Sequence, residues 1–192
     1  MSDRDMITAE QFLPIGINYT KPKSPYPSTP NEYVKKTKVV LTLLGQWANY
    51  LPPYALARLA GLTKHHGYLT KVFDFNAESY HATKDLLPNH WQSNNVHKWI
   101  GQGYSTSTHG IYKQFLDDYV QRILFENPVV VGFSIYFTNL DTSKYVAQEL
   151  KKFNPNIVIV FGGPECSTLS LKSTPESLTF TDYMVVGEGE EV

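Results

Sequence analysis

Ile157-Val158-Ile159-Val160-Phe161-Gly162-Gly163-Pro164-Glu165 is the stretch that decides the fold. Five apolar, mostly β-branched residues run without polar alternation, the pattern of a strand in a parallel sheet covered on both faces. Glycine just past a strand lets the backbone turn tightly or approach a ligand closely. Two more runs share the pattern, Val129-Val130-Val131-Gly132-Phe133-Ser134 and Tyr183-Met184-Val185-Val186-Gly187-Glu188-Gly189-Glu190. Such turns line the crevice at the carboxyl ends of the strands in open α/β sheets, where ligands bind.

Outward from these runs the chain alternates strands with helices. Val39 to Leu44 is the first buried strand, and Pro52 to His66 then carries Tyr54, Leu56, Leu59, Ala60 and Leu62 near helical spacing before Gly67 stops it. Leu69 to Phe75 is the second strand. Ile111, Phe115, Tyr119 and Ile123 recur at i, i+4 in a helix from Ile111 to Phe125, which Asn127-Pro128 leads into the third strand. Asn139 to Phe153 is a helix with Tyr145, Ala147 and Leu150 inward, and Pro175 to Leu178 is a short helix before the fifth strand at Tyr183 to Val186. The order predicts an α/β, Rossmann-like, five-stranded parallel sheet of flavodoxin-like order with helices on both faces.

At 192 residues, 42% of them hydrophobic, the chain has the size of one domain plus an extension. Residues 1–36 are expected to be an extended arm, because Lys21 to Pro30 alternates proline with serine, lysine and tyrosine. Residues 37–192 form the domain. It is interrupted at about 77–110 by an insertion rich in His, Asn, Gln and Ser, whose Trp91 and Trp99 favour packing on the domain. A net charge of −1 and no Lys/Arg cluster beyond Lys21/Lys23 and Lys35-Lys36-Lys38 argue against a nucleic-acid partner. No apolar segment long enough for a membrane span and no secretory leader are readable, so a cytoplasmic protein is expected.

Cys166 is the only cysteine, which excludes an intrachain disulfide framework and any iron–sulfur cluster held by this chain alone. The six histidines form no H-x-x-x-H or H-E-x-x-H face, so a zinc hydrolase is not indicated. Neither G-x-G-x-x-G after the first strand nor a Walker-type phosphate loop is present, and Ser134 lacks a nucleophile elbow. The first strand leads instead into Gly45-Gln46-Trp47-Ala48-Asn49-Tyr50-Leu51-Pro52-Pro53, a loop of aromatic and amide groups. Ser134, Tyr136 and Thr138 bring hydroxyls to the third strand's exit, where they either meet a ligand or, with Asn139, cap the following helix. Gly162-Gly163 is either a ligand surface or a tight turn, and Gly187-Glu188 either faces a ligand or begins an acidic helix turn.

Together, Tyr50-Leu51-Pro52-Pro53-Tyr54-Ala55-Leu56-Ala57-Arg58-Leu59-Ala60-Gly61, His66-Gly67, Val72-Phe73-Asp74, Val131-Gly132-Phe133-Ser134, Asn154-Pro155, Gly162-Gly163-Pro164-Glu165, Asp182-Tyr183 and Val186-Gly187-Glu188-Gly189-Glu190 resemble, in order and spacing, one known domain. It is the cobalamin-binding domain that precedes the catalytic barrel of B12-dependent radical SAM proteins. The resemblance covers about Thr37 to Val192. It implies a corrin at the strands' carboxyl edge, with Gln46, Trp47 and Asn49 at its lower face and Asp74 at the same edge. Ser134, Tyr136 and Thr138 would lie near the nucleotide tail, and Gly162, Gly163, Glu165, Gly187 and Glu188 along its groove. The Asp-x-His-x-x-Gly element that supplies an axial histidine in methionine-synthase-like domains is absent, so the implied cobalamin is base-off without a histidine ligand. No Cys-x-x-x-Cys-x-x-Cys motif is present, so no iron–sulfur cluster and no catalysis are expected from this chain alone; the implied partner is a radical SAM catalytic domain, in cis or in trans. A metal role would be confined to the cofactor's cobalt.

Two other functions compete. One is a non-catalytic Rossmann-like interaction domain that has lost the cofactor and docks a catalytic partner or a second copy, for which Trp91, Trp99 and Tyr104 would form an exposed patch. The other is a flavodoxin-like flavin or nucleotide binder, against which the missing phosphate loop argues.

Overall fold

The computed structural model describes residues 13–14, 37–48, 51–172 and 179–187. Strands β1 (Leu13–Pro14), β2 (Lys38–Leu43), β3 (Leu69–Asp74), β4 (Val130–Ser134), β5 (Val158–Gly162) and β6 (Tyr183–Met184) form one sheet. Its order is β1-β6-β5-β4-β2-β3. The last five strands run parallel. Numbered among themselves they give 2-1-3-4-5, the doubly wound order expected from the sequence. β1 adds an antiparallel edge, Leu13 opposite Met184 and Pro14 opposite Tyr183, so two residues of the segment expected to be an arm belong to the sheet.

Helix α1 (Tyr54–His65) packs on one face, burying Leu56 and Ala60 against Val39, Leu41 and Leu43 of β2. Tyr54 points outward instead of into the core, being the first helical residue beyond Pro53. On the other face α3 (His109–Phe125) and α4 (Leu140–Phe153) cover Val40, Val131, Phe133, Ile159 and Phe161, with Tyr119, Ile123, Val146, Ala147 and Leu150 from the helices. Tyr145 is only partly buried and donates its hydroxyl to Asp117 at 2.5 Å. A fifth helix, α5 (Glu165–Lys172), begins one residue after the glycine pair, where the sequence suggested a ligand surface or a tight turn and no helix. The helix expected at Pro175 to Leu178 lies outside the described residues.

The entry to β6 is fixed by charge. Asp182 accepts the Ile159 N–H at 2.7 Å and pairs with Lys151 at 2.6 Å, tying the strand to β5 and to α4.

The insertion is shorter than its composition suggested, because its first residues continue α2 (Phe75–Thr83). The buried face of α2 includes Ser79 and Thr83, whose hydroxyls bond back to the carbonyls of Phe75 and Ser79. Small hydroxyl residues satisfied this way can be buried, but they leave no apolar period in the sequence. Beyond it come a 3-10 stretch (Ser93–Trp99), one α turn (Gly101–Gly103) and a π-helical stretch (Tyr104–Thr108) that runs into α3. Trp91, Trp99 and Tyr104 are all buried. The Trp99 indole donates to the His90 carbonyl at 2.7 Å and the Trp91 indole to Thr83 Oγ1 at 2.8 Å. The two indoles, 4.9 Å apart, close the top of the α3 face of the core. Trp99→Ala should therefore cost about 3–5 kcal/mol of stability, the range for emptying a large aromatic site, read as a lower urea midpoint; a shift under about 1 kcal/mol would show that the insertion is not part of the core.

Candidate functional site at the carboxyl edge of the sheet

Strand order reverses between β2 and β4, so the connections leaving these two strands part at the carboxyl edge and open the crevice of a doubly wound sheet. The first connection begins at Leu44 and turns at Gly45-Gln46, whose peptide is cis. Gly45 is closely packed, since a Cβ there would stand a tight 3.2 Å from the Trp91 ring. Gln46 is buried and donates its side-chain amide to the Trp91 carbonyl at 3.3 Å, so it sits under the insertion and away from the open edge. Trp47 is half-buried, its N–H held by Asn76 Oδ1 at 2.9 Å and its ring 5.5 Å from Tyr136.

The second connection supplies most of the polar partners. Thr138 neither caps α4 nor faces outward; its hydroxyl donates to the Gln46 carbonyl. Asn139 stands at the N-terminal cap position of α4, yet its side chain makes no bond to the helix. It turns back, donating to Leu44 O at 3.2 Å and Ser134 O at 3.0 Å and accepting the Tyr136 N–H at 2.8 Å. Thr142 shares its hydroxyl proton between Gly45 O at 2.9 Å and Asn139 O at 2.8 Å.

Gln46, Trp47, Tyr136 and Thr138 are thus brought together, as are Ser134, Gly162 and Gly163. Ser134 pairs with Gly162 in register. Ile135 N donates to Gly162 O at 2.6 Å, and Gly163, at φ 112°, lies so close to Ile135 that a Cβ would come within 2.7 Å of its carbonyl oxygen. Gly163 is therefore required by the turn itself. Glu165 opens α5, its N–H donating to Ile135 O at 3.3 Å. Gly187, at φ 98°, is exposed past β6. Asn49 and Glu188 lie outside the described residues.

Asp74 is already engaged, accepting the Ala77 N–H at 2.9 Å as the N-cap of α2. Burial, with Glu78 nearby, raises its pKa above the ordinary 3.8 in spite of that bond. Cys166 is fully buried, and burial pushes its thiol up to about 12, an inert group. His90 is buried beside Trp99, and burial followed by the charge of Lys98 lowers its pKa. No group of three or more metal-ligating side chains exists among the described residues, and no described helix is long and apolar enough to cross a membrane.

The α1 side of the sheet is half-open. Ser134 of β4, Val158, Val160 and Gly162 of β5, and Tyr183 and Val185 by β6 are only half-buried, while their neighbours on the opposite side are buried. At the carboxyl end of this strip Gly162 leaves bare backbone, with Val185 Cβ the nearest atom to any added Cβ at 3.8 Å. Leu51, Tyr54 and Phe137 are 54%, 71% and 53% exposed on the connections at the same edge.

The sequence matches the B12 binding domain family over residues 40–192. The chain belongs to the B12-binding domain family. No curated protein matches it. Among solved structures it is similar to the radical S-adenosylmethionine methyltransferase TsrM from Kitasatospora setae, with tryptophan substrate and a SAM analog bound, at 15% identity and a TM-score of 0.43. That likeness covers 69% of this chain and 20% of the methyltransferase, so the B12-binding chain spans about a fifth of that protein's length. The residues of this B12-binding domain suit the group its family name implies. An aromatic pair, Trp47 and Tyr136, lies at the switch point, and an apolar strip ending in bare glycine backbone runs down the sheet beside it, surfaces of the size and polarity a large cofactor needs.

Asp74 gives a pH prediction. A carboxyl whose pKa is raised in the folded state costs stability as it ionises, so the penalty grows as pH rises above 3.8. Asp74→Asn keeps an acceptor for Ala77 and removes the charge. Urea midpoints should shift in the variant's favour from acid pH to neutrality; a constant offset would show that ionisation of Asp74 is not resisted.

Proposed function

We propose that the chain binds cobalamin at the carboxyl edge of its sheet and serves as the cofactor module of a B12-dependent radical SAM protein. The observation that carries the reading is the Trp47–Tyr136 pair at the β2/β4 switch point of a B12-binding domain, 5.5 Å apart and half-buried. Bound cobalamin supplies a cobalt centre that carries an alkyl group. The protein's part is to hold and orient it. Trp47 and Tyr136 offer apolar ring surface to the macrocycle, and the half-open strip ending in Ser134 and Gly162 takes the nucleotide tail between the sheet and α1. The exposed Leu51, Tyr54 and Phe137 suit a catalytic domain, in cis or in trans, that covers the cofactor from above. Radical SAM membership is supported by the ordered motifs from Tyr50 to Glu190.

No histidine lies in the loop from Gly45 to Pro53, and His90 is buried within the insertion. The proposal is therefore that no histidine binds cobalt, and a nucleotide tail drawn into the groove leaves the cofactor base-off. The competing interaction-domain reading loses its patch, since Trp91, Trp99 and Tyr104 are core residues.

Hydroxocobalamin mixed with the 192-residue chain and passed through a desalting column should leave corrin absorbance with the protein, and Trp47→Ala should weaken binding by about tenfold or more. Loss of all corrin from wild type would instead favour the interaction domain. The paramagnetic resonance spectrum of bound cob(II)alamin should lack nitrogen splitting; its presence would put an imidazole or benzimidazole on the metal and refute base-off binding without a histidine.

A further inference from the structure

Carbonyls that leave the end of a strand lose their ladder partners, and burying one without a replacement bond is costly. Leu44, Gly45 and Gln46 are such residues. All three are buried, and their three successive carbonyls are met by side chains of the β4–α4 connection and the first turn of α4, those of Asn139, Thr142 and Thr138. On the far side Asn76 holds the next N–H, that of Trp47. Four consecutive residues are thereby fixed from two directions.

We infer that Thr138 and Asn139, with Thr142 behind them, are positioning residues for the cofactor platform, setting the height at which Trp47 meets Tyr136. The inference rests on the cobalamin reading above and deepens it. Plain satisfaction of buried carbonyls would need no link to the other half of the platform. Asn139 supplies that link, because the same amide that holds Leu44 O also binds the Tyr136 N–H. One buried side chain sets the backbone of both connections, so the two rings keep their spacing in the free protein. A platform already in place has less to order when a ligand arrives, which raises affinity without adding any contact. None of the three side chains touches the cofactor. They act through Trp47 and Tyr136.

The test uses the whole 192-residue chain, with hydroxocobalamin as the probe. Thr138→Val removes the hydroxyl at nearly constant shape, and Thr138→Ser restores it. Affinity is measured on the folded fraction, and hydrogen exchange of the Trp47 amide is followed in the free protein. Thr138→Val should raise Kd about tenfold and speed exchange at Trp47, while Thr138→Ser should stay within about twofold of wild type on both. Wild-type affinity in Thr138→Val overturns the inference, whatever the exchange shows, because a merely structural threonine would change stability and leave the folded protein's affinity alone. If wild type itself fails to retain hydroxocobalamin, the cobalamin reading falls. The exchange comparison then decides the clamp by itself, faster exchange in Thr138→Val upholding it and unchanged exchange ending it. Should Thr138→Val not fold, Thr142→Val is put through the same two measurements with the same criteria.

Discussion

The fully buried amide of Asn139 is the constraint on which the carboxyl edge depends. Its oxygen accepts the Tyr136 N–H, and its nitrogen reaches the carbonyls of Leu44 and Ser134, so one side chain closes the gap that strand order opens between β2 and β4. Parallel strands at a switch point send their connections to opposite faces, and nothing in the sheet ladder holds those connections together. A residue with both donors and an acceptor, too short to reach solvent, solves the problem with a single group. A hydroxyl, with one proton, could not give each of two carbonyls a proton of its own.

The sheet was legible because its strands are written in β-branched residues and its turns in glycine. Gly163 could be marked from its place after Phe161, and the structure gives it the positive φ and the close approach to Ile135 that only glycine accommodates. Trp47, Tyr136 and Thr138 could be placed on one edge from strand order alone. The task of each side chain there could not be read the same way. Gln46 and Thr138 have the polarity of ligand contacts, yet the Gln46 amide N–H goes to Trp91 O and the Thr138 hydroxyl to Gln46 O, because partners 45 and 92 residues away in sequence are decided by packing. Asn76 and Thr142 carried no signal at all, being single polar residues beside a strand end and inside a helix. The same blindness hid α2, whose buried hydroxyls mimic the composition of a loop, and β1, whose two residues are too few to show a strand pattern.

The two faces of the sheet are built differently. Over the α3 and α4 side aromatic residues fill the core, from Phe75 stacked on Tyr119 to Phe133 and Phe161, and the insertion adds its two indoles. On the α1 side coverage is complete over β2 and thins toward β6. Continuous valine and isoleucine in β4 and β5 implied two covered faces, yet every second residue there is only partly buried. An apolar strip of this kind is stable only beside something that covers it, which is why its position next to Gly162 and Ser134 matters for ligand binding.

Among the described residues, neither border of the sheet invites a further strand. One border is β1, a two-residue strand containing Pro14, which has no N–H to offer a further neighbour. The other is β3, which carries the exposed Lys71 at its centre, a charge that an added strand would have to bring alongside its own backbone. Both ends of the ladder therefore resist growth by strand addition. A protein that keeps an apolar strip and an aromatic ledge open for a ligand needs this restraint: a sheet free to extend sideways would draw the same sticky surfaces into fibrils, and chain-to-chain stacking would compete with occupancy of the ledge.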